Sequence, residues 1–89
     1  MNSDQRMEIM RQRLQDAFHP TQLEIIDDSH KHIGHAGARD GAGHYTLIIA
    51  AVNLQNKSRV AAHREIYQAL EDLIPREVHA LKIVVQALT

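Results

Sequence analysis

Four of the seven histidines in this 89-residue chain fall between Asp28 and Tyr45, and the chain has no cysteine. That stretch runs Ser29-His30-Lys31-His32-Ile33-Gly34-His35-Ala36-Gly37 and on to Gly43-His44, while a further histidine, His79, opens the last apolar run. Neutral imidazole is the commonest protein ligand for intermediate metals, and its proton equilibrium lies near neutral pH. The chemistry available here is therefore imidazole chemistry. Any thiolate acting beside it must come from a partner or a small molecule.

His30 and His32 alternate along an extended segment, with His35 three residues further on among glycines that permit turning. A self-contained zinc site from His30, His32 and His35 is one reading, and a solvated polar loop is the other. Gly34-His35-Ala36-Gly37 matches the Gly-x-x-Gly of KH domains in spelling only, since that turn joins two helices and relies on basic residues. Nucleophilic catalysis has little support, because the neighbours Asp28, Ser29 and His30 point in different directions and a triad is defined by spatial roles. No HExxH, Walker loop or dinucleotide fingerprint is present, so the chain reads as non-enzymatic.

The elements that must position these side chains follow from periodicity. Ser3 is placed to cap a helix whose apolar stripe is Met7, Met10, Leu14, Ala17 and Phe18, ending near His19-Pro20. Leu23–Asp28 and Tyr45–Val52 read as two antiparallel strands joined by the His/Gly loop. Ser58 is a second cap, opening a helix that buries Ala62, Ile66, Ala69, Leu70 and Leu73, and Pro75 stops it or begins a short extra turn. His79–Leu88 is the final strand, with Leu81, Ile83 and Val85 on one face and Lys82 and Gln86 on the other.

The order is α-β-β-α-β, an α/β (α+β) chain forming a single domain over residues 1–89. A strand-helix-strand crossover returns the chain parallel to the strand it left. The start of the last strand and the start of the second should share one end of the sheet, where the antiparallel first strand also ends. The loop histidines and His79 are thus expected to meet there.

Ten Lys+Arg against eleven Asp+Glu leave a net charge of −1, so any phosphate-binding surface has to be local. Lys57, Arg59, His63 and Arg64 form such a basic opening to the second helix, where the helix dipole also favours an anion or an acidic protein surface. No run approaches the roughly 20 apolar residues needed to cross a bilayer. Neither does the start suit a signal peptide, so the expected location is the cytosol, without a membrane partner.

Leu23-Glu24-Ile25-Ile26-Asp27-Asp28-Ser29-His30, Gly34-His35-Ala36-Gly37, Gly43-His44-Tyr45, Lys57-Ser58-Arg59-Val60, His63-Arg64-Glu65-Ile66-Tyr67 and Val78-His79-Ala80-Leu81 closely resemble, in that order, the BolA family. The resemblance spans nearly the whole chain. It implies a class II KH-like fold, a three-stranded mixed sheet with helices on one face. It also implies a [2Fe-2S] cluster bridged to a monothiol glutaredoxin, in which the partner and glutathione each supply a thiolate. The family's histidine before Ala-Leu, here His79, is one ligand, and the loop between the first two strands supplies the other. Some members use cysteine there, so this chain looks like the histidine-type branch. Counting back from His44 favours His35; counting forward from Ser29 permits His32. Histidine ligation makes such a cluster less negative, raises its potential and renders it proton-sensitive. The family also includes DNA-binding regulators of stress response and cell shape, and Lys57, Arg59 and Arg64 carry that alternative. Self-association as a weak homodimer is left open.

Overall fold

The computed structural model describes residues 2–29 and 43–88. In chain order these form helix α1 (Ser3–Phe18), strand β1 (Gln22–Asp27), strand β2 (Gly43–Ala50), a 3-10 turn (Val52–Leu54), helix α2 (Arg59–Ala69) and strand β3 (Val78–Val85). The expected α-β-β-α-β order holds. Val52, expected to end the second strand, instead opens the 3-10 turn and is 73% exposed.

Asn2, rather than Ser3, caps α1. Its side chain accepts the Gln5 N–H at 2.9 Å while the Gln5 side chain accepts the Asn2 N–H at 3.0 Å, which satisfies two otherwise unpartnered donors. Ser3 is the first helical residue, and its hydroxyl turns toward Asp27 and Tyr45. The buried row is Arg6, Met10, Leu14 and Phe18, at a spacing of four. Ala17, expected in the stripe, is exposed, because it lies about 100° around the helix from Phe18. The helix stops at His19 in the left-handed conformation (φ 45°), whose N–H caps the Gln15 carbonyl at 2.9 Å, and Pro20 follows.

The strands lie in the order β1-β2-β3. β1 is antiparallel to β2, pairing Leu23 with Ile49 and Ile25 with Leu47, and β3 is parallel to β2, pairing Leu47 with Ile83 and Ile49 with Val85. Ile25, Leu47 and Ile49 on one face join a core with Met10 and Leu14 of α1 and Ile66 of α2. The alternate residues Glu24, Ile26 and Lys82 are exposed and Thr46 is half-buried, so both helices cover the same face.

The Ser58 cap is as expected, its hydroxyl accepting the Ala61 N–H at 3.1 Å. Ala62, Ile66, Leu70 and Leu73 are buried, and Ala69 half-buried. Pro75 does not end this helix, which already stops at Ala69; it lies in the run of turns over residues 70–77 that leads to β3. An Arg13–Asp72 ion pair ties that run to α1, and the hydrogen bond from Arg13 holds the Asp72 carboxyl below its ordinary range. No helix among the described residues is long and apolar enough to cross a membrane.

Candidate functional site

Two histidine rings meet at one end of the sheet. His44 is the second residue of β2 and His79 the second of β3, and their ring centroids lie 5.2 Å apart with planes tilted by 48°. Gly43 pairs with Val78, but the next pair is His44 with Ala80, so His79 is the extra residue of a β-bulge. The bulge resets the alternation of β3: Val78 is buried, His79 and Ala80 are both exposed, and Leu81 turns inward again. His44, in contrast, is 7% exposed. Tyr45 packs into the helix-covered core, so His44 before it faces the opposite side of the sheet.

The backbone beneath this pair is held by Asp27, Asp28 and Ser29. Asp27 Oδ1 accepts the Ser29 N–H at 2.9 Å, and Ser29 Oγ accepts the His44 N–H at 3.1 Å. The Asp28 N–H donates to the His44 carbonyl at 2.7 Å, and the Asp28 carboxylate accepts the Thr46 hydroxyl. Each side chain of that string thus braces the point where the loop leaves β1 and enters β2. The Gly43 N–H donates to the Glu77 carbonyl at 2.9 Å, joining the start of β2 to the start of β3.

Below them lies a buried polar cluster that sequence reading missed. Arg6 donates from Nη1 to the Tyr45 hydroxyl at 3.2 Å and from Nε and Nη2 to Glu77 Oε2, each at 3.2 Å. The Tyr45 and Ser3 hydroxyls are 3.0 Å apart, and Ser3 also donates to Asp27. Burial by itself pulls the Arg6 pKa down, but its hydrogen bonds and attraction to Tyr45 and Glu77 outweigh this, and the guanidinium stands above its ordinary value. The available signal was position: Arg6 stands four residues before Met10, in line with the buried row of α1.

His79 therefore stands where topology predicted it, at the end of the sheet from which the loop departs. His35, and likewise His32 and His30, lie outside the described residues. Among the described residues no three His, Cys, Asp or Glu side chains converge as a metal-holding group. His79 thus presents an exposed imidazole at the start of β3, and neutral imidazole is a common metal ligand.

The basic residues are at the other end. Lys57, Arg59 and His63 line an open groove of about 520 Å³ between the start of α2 and the end of β3, whereas Arg64 does not. Arg64 is five residues on from Arg59, roughly 140° around the helix, so it points elsewhere. Lys57 is bonded to Glu65 at 2.9 Å, which offsets part of the local positive charge.

The family model described as BolA-like protein matches residues 14–89. The SufE-like protein 1, chloroplastic/mitochondrial, of Arabidopsis thaliana is 40% identical over 80 residues, covering 84% of this chain but only 22% of that longer relative. The DNA-binding transcriptional regulator BolA of Haemophilus influenzae is 30% identical over 76 residues, covering 85% of this chain and 71% of the relative. Among solved structures, the BolA domain of SufE1 from Arabidopsis thaliana superposes with a TM-score of 0.81 at 35% identity, covering 98% of this chain and 94% of that one.

Proposed function

This chain belongs to the BolA-like protein family, and from that premise we propose that it is a non-enzymatic adaptor in iron–sulfur cluster assembly or trafficking, acting with a monothiol glutaredoxin. The observation that carries the reading is His79: an exposed imidazole placed by a β-bulge at the sheet end where the histidine-rich loop leaves β1 and enters β2. In this reading His79 is one ligand of a [2Fe-2S] cluster shared with the glutaredoxin and glutathione. A loop histidine, His35 or in its place His32, is the second. The cluster is cargo. What the chain's own residues do is present one imidazole at the start of β3, beside a start of β2 that Asp27, Asp28 and Ser29 brace, while the Arg6 cluster ties the core side of that end.

The test is anaerobic reconstitution with a monothiol glutaredoxin, glutathione, iron and sulfide, followed by visible absorption and circular dichroism. Wild type should give a heterocomplex whose spectrum differs from the glutaredoxin alone, and His79→Ala should lose it. His35→Ala and His32→Ala separate the two loop candidates. A wild-type protein that forms no complex overturns the reading.

A second reading, DNA binding, is supported by the groove lined by Lys57, Arg59 and His63 and by the name of the Haemophilus influenzae relative. It predicts an affinity that falls with salt and weakens in Arg59→Ala. Absence of binding at low salt discards it.

A further inference from the structure

Resting on the adaptor reading, we infer that His44 is the positioning residue for His79: its buried ring holds the exposed His79 ring in the orientation in which it meets a metal. His44 is fixed on every side that matters for this. Its backbone N–H is held by Ser29 Oγ, its carbonyl by the Asp28 N–H, and the residue as a whole is 7% exposed. Among the described residues His79 is given no such restraint by its own backbone: it is exposed and follows a register shift that leaves it without a paired residue on β2.

An exposed side chain samples several rotamers, and ordering it on binding costs conformational entropy. A ring already seated against a fixed neighbour has lost that freedom beforehand. The 5.2 Å centroid separation and 48° tilt fall within the range of a favourable aromatic pair. The register shift offsets the pair: without it His44 would face His79 in the ladder itself, and with it His79 is the unpaired bulge residue whose ring lies beside that of His44. His44 thus acts through His79, by ring contact.

The experiment compares His44→Ala, His44→Phe and His79→Ala by two measurements. The first is the imidazole NMR signals of His79 in the isolated chain; the second is the circular dichroism and lifetime of the cluster in the complex with a monothiol glutaredoxin. Removing a group that orients a ligand typically lowers metal affinity by about 10–100-fold. His44→Ala should move the His79 signals toward those of an unrestrained histidine and shorten cluster lifetime by about tenfold, and His44→Phe should restore both. Where His44→Ala fails to fold, His44→Leu, which fills the space without a ring, takes its place. Loss of the cluster in His79→Ala but not in His44→Ala overturns the inference and leaves the adaptor reading intact. An unaltered cluster in His79→Ala overturns the reading itself. A folded His44→Phe that behaves like His44→Ala overturns positioning by ring contact, because a nitrogen of His44 is then required.

Discussion

Gly43 and Arg6 both bear on Tyr45, at the histidine end of the sheet. A Cβ added at Gly43 would stand 2.2 Å from Tyr45 Cε2 and 2.5 Å from its hydroxyl oxygen, and that ring is 2% exposed and tied to Arg6 and Ser3. Replacing glycine by alanine in a strand stabilises by up to about 1 kcal/mol through the unfolded chain, whereas overpacking a held ring costs roughly 1–3 kcal/mol or more. The clash wins. Gly43→Ala is expected to lower stability by about 2 kcal/mol in urea unfolding. Arg6→Ala removes one partner of a largely desolvated pair and leaves Glu77, whose side chain is 24% exposed, and the Tyr45 hydroxyl without their guanidinium donors. Breaking buried pairs costs roughly 3–5 kcal/mol, and the residual solvent contact of Glu77 puts the expected loss at about 3 kcal/mol, read from the same unfolding midpoints. A urea midpoint unchanged from wild type would refute either assignment.

At the scale of elements, packing rather than propensity joins α1 to the turns that follow α2. The Arg13–Asp72 pair crosses that junction at the surface, and the Asp72 carboxyl is held below its ordinary value of 3.8 by the hydrogen bond from Arg13. A carboxyl whose pKa is lowered by folding stabilises above its unfolded value and loses that contribution as pH falls through the folded one. Asp72→Asn should therefore be less stable than wild type at neutral pH, and the gap should close below about pH 3.8 and shrink in 1 M salt. A gap independent of both pH and salt assigns the pair no role. Elements were largely legible beforehand, because their periodicities and the Ser58 cap are local. Their ends were not: Asn2 replaced Ser3 as the first cap because the reciprocal bond with Gln5 is available only from Asn2, and β2 began at Gly43 because its N–H finds the distant Glu77 carbonyl.

On the scale of the whole molecule, β2 separates two surfaces. Its eight residues extend about 25 Å, with the histidine pair at its start and the Lys57–Arg59 groove beyond its end. Sites so far apart, with no shared partner among the described residues, contribute additively. In the proposed activities, Arg59→Ala should leave glutaredoxin complex formation unchanged and His79→Ala should leave DNA affinity unchanged, with the double variant showing each single variant's loss unaltered in its own assay. A strong non-additive coupling would place the two functions on one surface. The sequence by itself determined the order of elements, the antiparallel and parallel pairings and the sheet end that receives His79, because hydrophobic period and crossover topology leave few alternatives. Only the tertiary structure decided that His44 lies beside His79 and that Arg6 is buried against Tyr45 and Glu77. Both depend on register and contact between residues more than thirty positions apart, where a shift of one residue turns a side chain to the other face.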